Sequence, residues 1–240
     1  MSSNIPVVIF KDVWKKYSKD VIFHRSFRED LMGLLTLTGP HQDLLKNEFW
    51  ALKKIDFSLE QGQIIGLWGS NGAGKSTLLK LVARITYPTS GQITIKGAVA
   101  PIIEVGAGFH PDLTGRENAY LYGVILGMTL ADVNKNMASI IAFSQLNEFI
   151  DMPIKKYSSG MYMRLAFSIA IHSQADIYVI DEVLMTADES WQKKLFDKIQ
   201  DLKKQNKSIL LVTQNKQLME STVDRIMTLD NGQIIAHSLK

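Results

Sequence analysis

Nine residues, GSNGAGKST at Gly69–Thr77, constrain this chain more than any others, because the pattern works only between a buried strand and a helix. The stretch before it, QIIGLWG at Gln63–Gly69, alternates little and is apolar enough for a strand covered on both faces. After it, STLLKLVARI repeats apolar residues at Leu78, Leu81, Val82 and Ile85, the spacing of a helix. Gly69, Gly72 and Gly74 let the backbone curl until successive N–H groups converge on a polyphosphate, and the new helix adds the positive end of its dipole. Ser70, Asn71, Ala73 and Thr77 complete the phosphate-binding set, Lys75 reaches the β- and γ-phosphates, and Ser76 ligates Mg²⁺. At average residue usage the bare pattern arises by chance in roughly one of a hundred chains this long. The expectation is nucleotide binding, against the blander reading of a glycine-rich turn.

At 240 residues the chain can bury the core of one large α/β domain. It has no cysteine, which excludes disulfides, thiol catalysis and cysteine zinc sites. The opening MSSNIPVVIFKD lacks the pattern of a signal peptide, and the longest apolar stretch, AYLYGVILGM, is about half of a membrane span. A net charge of +3 is too mild to argue for nucleic acid, so any membrane role is expected to be peripheral.

VVIFKDVWKKY and ALKKIDFSLE read as strands. The interlude at 18–48 contains FREDLMGLLTL, where Phe27, Leu31, Leu34 and Leu35 form the apolar face of a short helix. Such a helix either packs on its own domain or docks on a membrane partner. Beyond the phosphate loop, GQITIKGAVAPIIE reads as a hairpin turning at Lys-Gly, residues 114 to about 151 are mostly helical, and 159–173 form another helix. The strand ADIYVIDE, a charged helix, the strand SILLVTQ and two closing strands around an Asn-Gly turn complete the chain. Alternating strands and helices imply a parallel sheet, interrupted by a helical subdomain at about 106–174.

IYVIDE ends its apolar run in two acids. Asp181 at the strand tip suits a second Mg²⁺ carboxylate, and Glu182 suits a group that polarises the attacking water; without the phosphate loop, an ordinary strand running out into solvent is the better reading of both. YSSGMYMRLAFSIAIH at Tyr157–His172 then decides between the many nucleotide folds. Ser158, Ser159, Gly160 and Arg164 place a serine, a glycine and an arginine at the start of a helix, where a hydroxyl and exposed N–H groups either cap that helix or hold an anion.

With this segment the chain resembles the ATP-binding cassette family, with Ser159 in place of the first signature glycine and Met161 in place of the usual glutamine. The resemblance implies a P-loop core with a parallel sheet, N-terminal antiparallel β strands and an inserted helical subdomain, all in one nucleotide-binding domain over 1–240. It implies ATP and Mg²⁺ as cofactors, and a dimer in which Ser158 and Gly160 of one copy meet the γ-phosphate held by the other. Tyr17 falls where the family stacks an aromatic ring on adenine, although a strand-edge tyrosine facing solvent fits too. Glu104 lies near the switch loop, where glutamine is usual, and Asp188 matches the acidic residue of a loop crossing the dimer interface. Gln214 stands where a histidine normally contacts the γ-phosphate; an amide can donate to phosphate but cannot become cationic, so hydrolysis is expected to be reduced rather than absent.

EVGAGFHPDLTGREN at Glu104–Asn118 and the 18–48 interlude further resemble the ATPase subunits of bacterial polysaccharide exporters serving O-antigen, capsule and teichoic acid. That branch implies an integral membrane permease as partner, a peripheral place on the cytoplasmic face of the cytoplasmic membrane, and a docking role for residues 25–38. Some O-antigen members carry a C-terminal carbohydrate-binding domain, for which this chain is expected to have no room. The competing expectations are a soluble cassette ATPase of translation or DNA repair, disfavoured by the single cassette and mild charge, and a nucleotide-gated adaptor that hydrolyses weakly.

Overall fold

The computed structural model describes residues 5–19, 44, 47–103, 106–181, 189–213 and 216–239. The amphipathic helix expected at 25–38, and Glu104, Glu182, Asp188 and Gln214, lie outside the described residues.

Two sheets form the body. β1 (Pro6–Ser18) lies between β2 (Glu48–Glu60) and β4 (Ser90–Ile95) in an antiparallel three-stranded sheet. The larger sheet runs β5 (Val99–Ile102), β6 (Ile177–Ile180), β7 (Ser208–Val212), β3 (Ile64–Trp68), β8 (Arg225–Asp230) and β9 (Gln233–Leu239). Its first five strands are parallel and β9 returns antiparallel. The turn before β9 is Asn231-Gly232, both at positive φ (46° and 79°), as a two-residue hairpin with right-handed twist requires.

The central strands are buried on both faces, which is why their sequences are continuously apolar. Ile64, Tyr178, Ile180, Ile209 and Leu211 face one core, while Ile65, Leu67, Ile177, Val179, Leu210 and Val212 face the other. The second core holds α1 (Lys75–Val82), which presents Leu78, Leu79, Leu81 and Val82 between the two sheets. The first holds α2 (Gly115–Ile125), α3 (Leu130–Ser144) and α4 (Ser159–Ile171), together with α5 (Glu189–Lys204) and α6 (Lys216–Thr222). α2 and α3 both start with capping boxes, Thr114 with Glu117 and Thr129 with Asp132, so their first N–H groups are satisfied locally.

The structure corrects three expectations. GQITIKGAVAPIIE is not a hairpin: β4 pairs with β1, β5 pairs in parallel with β6, and Lys96-Gly97 carries the chain from one sheet to the other. Gly97 makes that crossing at φ 102°, and the Asp176 carboxylate accepts the next amide, Ala98 N–H, at 3.0 Å. α1 stops before Ile85. Arg84 adopts φ 57° and the Ile85 N–H donates to Lys80 O at 2.9 Å, a left-handed stop that leaves Ile85 exposed. α6 was not expected at all, being short and polar; it is fixed by Met219 and Val223, which pack where a side chain at Gly66 would stand.

Candidate nucleotide site

The carboxyl ends of β3, β6 and β7 lie side by side, with Leu67 opposite Val212 and Ile180 opposite Leu211. In an open parallel sheet this edge is where loops gather to bind ligands. β3 delivers the phosphate loop and β6 delivers Asp181.

The loop's conformation depends on its glycines. Gly69 sits at φ 150° and a Cβ there would lie 2.2 Å from Leu229 O; Gly74 sits at φ 106° and a Cβ would lie 2.7 Å from Ala51 O. Gly74 is also the N-cap of α1, which has no side-chain cap and no acidic residue in its first turn. The uncapped N–H groups and the dipole therefore point at the loop without an internal anion to answer them. Lys75 Nζ lies across the loop, donating to Gly69 O at 2.6 Å and Ser70 O at 2.8 Å. These bonds hold the ammonium over the curl of amides.

A cavity of about 560 Å³ opens here, lined among others by Asn71, Gly72, Gly74–Thr77 and Asp181, and at its other end by Tyr17. The structure thus brings the sequence-predicted loop, the strand-tip acid and the aromatic residue into one space. Ser76 Oγ donates to Asp181 Oδ2 at 3.4 Å. A hydroxyl and a carboxylate oxygen side by side are the hard donors that Mg²⁺ takes, with water and phosphate completing its octahedron, so the pair fits that ion. Tyr17 stands 6.1 Å from Phe49, centroid to centroid, and Lys15 Nζ lies 4.8 Å from the Tyr17 ring.

Sequence reasoning missed Phe49, Lys53, Asn231 and Gly232, which also line this cavity. The two from the β8–β9 turn are there because Gly232 bonds to the loop's Ala73 O at 3.1 Å and accepts from Lys53 N–H at 2.7 Å. The Asn-Gly pair was visible as a turn; that it buttresses the phosphate loop was not, because the contact joins segments more than a hundred residues apart.

Ser158, Ser159 and Gly160 do not line the cavity. They are exposed at the start of α4, where Ser158 Oγ caps the helix by accepting Met161 N–H at 3.2 Å. Gly160 differs from Gly69 and Gly74 of the phosphate loop. It has no positive φ, and a Cβ there would meet nothing closer than Ser158 Oγ at 3.9 Å. The next turn of α4 is tied to the loop after Glu104, because Tyr162 OH donates to Gly106 O at 2.8 Å and Phe109 packs edge-on against Tyr162. Arg164 Nη1 donates to Gln145 Oε1 at 3.0 Å. Two perturbed groups flank this helix: burial raises the Tyr157 hydroxyl to about 12 and lowers His172 to about 4.

The family profile described as ABC transporter matches residues 52–185. The chain is 44% identical over 236 residues to the O-antigen export system ATP-binding protein RfbB of Myxococcus xanthus, covering 98% of this chain but only 54% of that protein. It is 41% identical over 241 residues to the protein of the same description from Klebsiella pneumoniae, covering 95% of this chain and 92% of the relative. The teichoic acids export ATP-binding protein TagH of Listeria monocytogenes is 37% identical, with 98% of this chain and 67% of the relative covered. Among solved structures, a dimeric ATP-binding cassette in a post-hydrolysis state with ADP and Pi superposes with a TM-score of 0.76 at 18% identity, covering 97% of this chain and 98% of that one. At that identity the likeness speaks for the fold.

Proposed function

Because the chain belongs to the ABC transporter family, we propose that it is the ATP-binding and ATP-hydrolysing subunit of an exporter that moves a lipid-linked polysaccharide across the cytoplasmic membrane. The observation that carries the reading is a phosphate loop whose Asn71, Gly72 and Gly74–Thr77 share one cavity with Asp181 and Tyr17. The polysaccharide cargo rests on the descriptions of the relatives. No described helix is long and apolar enough to cross a membrane, in keeping with a partner permease that supplies the channel while this chain sits peripherally at the cytoplasmic face. The 106–174 block is read as a helical subdomain of a single cassette, and residues 25–38 as its docking element.

In this reading the loop amides and Lys75 bind the β- and γ-phosphates, and Tyr17 lies against the adenine. Ser76 and Asp181 hold Mg²⁺, which when bound neutralises charge on the phosphate oxygens. Glu182, next after Asp181, orients the attacking water and accepts its proton. Gln214 donates an N–H toward the γ-phosphate; Glu104 and Asp188 act in the switch and interface loops. Ser158 and Gly160 complete the site of a second copy, so that ATP binding and dimer closure are one event. The exposed, unconstrained Gly160 supports this: its missing side chain leaves room for something outside the chain.

Two variants test the chemistry. Glu182→Gln should retain ATP binding while steady-state hydrolysis falls by about 100-fold or more; hydrolysis at the parental rate would remove Glu182 from the role of base. Gln214→His should raise turnover, and an unchanged rate would mean that this position does not limit hydrolysis.

A further inference from the structure

We propose that a recess between α3, the end of α4 and the last turns of α5 binds a small phosphorylated compound, at a site separate from the nucleotide cavity. The recess measures about 380 Å³ and is lined by Lys135, His172, Ser173, Lys198, Gln205 and Lys207, among others, with no carboxylate in its walls. None of its residues lines the phosphate-loop cavity.

Its charge is only partly balanced: Lys207 pairs with Asp176 at 3.2 Å, while Lys135 and Lys198 feel Asp132 and Asp201 without forming an ion pair with them. The neighbouring acids have these partners: Asp132 accepts from Thr129 Oγ1 at 2.6 Å and from the recess's Gln174 Nε2 at 3.3 Å, Asp176 from Ala98 N–H at 3.0 Å and from the recess's Lys207 Nζ at 3.2 Å, and Asp201 from Lys204 Nζ at 3.2 Å. Among the described residues neither Lys135 nor Lys198 has a hydrogen bond or an ion pair. Lys198 is half-buried, and burial pushes its ammonium below the ordinary lysine value, with Asp201 opposing. It also stands close enough to His172 to hold that imidazole down, in addition to the effect of burial. An ammonium half withdrawn from water beside a neutral ring, with Asp201 near but not bonded to it, gains from added negative charge.

The end of a helix would ordinarily repel an anion, but here several carbonyls at and just beyond it are covered. Ser168 O accepts from His172 Nδ1 at 2.6 Å, Ala170 O from Ser173 Oγ at 2.7 Å, and Ser173 O from Tyr178 OH at 2.5 Å. What remains facing the recess is the two ammonium groups of Lys135 and Lys198 and the Asp176-paired Lys207, with amide side chains at Asn136, Gln174 and Gln205. Phosphate, with several acceptor oxygens and up to two charges, is the group that such donors satisfy together. The recess is concave, so a free small compound suits it better than a flat anionic surface.

Pyrophosphate is the probe, added to the full chain carrying Lys75→Ala so that the phosphate loop does not compete. The ring signals of His172, assigned by their loss in His172→Asn, should shift on titration, with a Kd no weaker than about 1 mM. Lys198→Met and Lys135→Met, both at surface-accessible positions, should each weaken that binding about tenfold or more while leaving the ATPase rate of the otherwise unaltered chain unchanged. Phosphatidylglycerol vesicles should not displace pyrophosphate. Absence of binding, binding indifferent to both lysine variants, or displacement by vesicles would overturn the proposal. Since the readout sits at His172, a failure here is distinct from failure of the nucleotide-site reading, which would show as ATP binding surviving Lys75→Ala.

Discussion

The phosphate loop and the start of α4 both use glycine, but for opposite reasons. At Gly69 and Gly74 the chain's own backbone forbids a side chain, through positive φ and through contacts with Leu229 O and Ala51 O. At Gly160 nothing in the chain forbids one. Glycine costs about 1 kcal/mol relative to alanine in a helix interior and less in the first turn, where Gly160 stands, so the residue at 160 lowers the stability of α4 slightly without a contact that requires it. The loop is a site whose geometry is explained by one copy of the protein. The start of α4 offers no such internal reason for its glycine.

The comparison can be broken most forcefully at Gly69. Gly69→Ala should destabilise the fold by about 2 to 4 kcal/mol, through backbone strain and overpacking, and abolish ATP binding; denaturant unfolding and nucleotide titration read both. An unchanged midpoint would mean the loop adapts freely and that its glycines do not differ in kind from Gly160.

Acid should separate the two regions next. His172 ends the signature helix, and its value is held at about 4, below the usual imidazole range, chiefly by burial. The unfolded chain therefore binds a proton that the folded chain refuses. Stability from this group is complete above pH ~6.5 and is lost as pH falls toward 4, by at most about 3 kcal/mol. His172→Asn should flatten that slope in thermal melts between pH 6.5 and 4, whereas the phosphate-loop variants should keep it.

Tyr17→Ala should weaken ATP binding by about 1 to 3 kcal/mol, the usual range for a base stacked on an aromatic ring, without altering the unfolding midpoint by more than a few tenths. Equal affinity for ATP in the variant and the parent would return Tyr17 to an edge tyrosine facing its neighbours Phe49 and Lys15. The smallest effect is expected at Gly160→Ala, which should raise stability by no more than about 0.5 kcal/mol, a first-turn position gaining less than a helix interior, while lowering ATPase activity.

How much of this was legible in the sequence follows the same division. The phosphate loop is local: strand, curl and helix are consecutive, so Gly69–Thr77 announced their conformation. The central strands were readable because burial on both faces leaves continuous apolar runs. The Asn231-Gly232 turn was readable from two residues. The Lys96-Gly97 crossing was not, since an alternating strand pattern looks the same whether it pairs with its neighbour or with β1. α6 was hidden because its few apolar residues gain their meaning only from the gap at Gly66. Phe49 and Lys53 entered the site by pairing across β1 and β2 and by the β8–β9 turn, contacts that no spacing along the chain reports.

The central claim is that Gly160 serves a second copy of the protein, and ATP-driven dimerisation measures it directly. In a Glu182→Gln background, where ATP persists, sedimentation should show a dimer that forms with ATP and dissolves without it. Adding Gly160→Glu at this exposed position should leave ATP affinity of the monomer intact and abolish the dimer, because a carboxylate would face the partner's γ-phosphate. A Gly160→Glu chain that dimerises as readily with ATP, or that loses nucleotide binding as a monomer, would contradict the account.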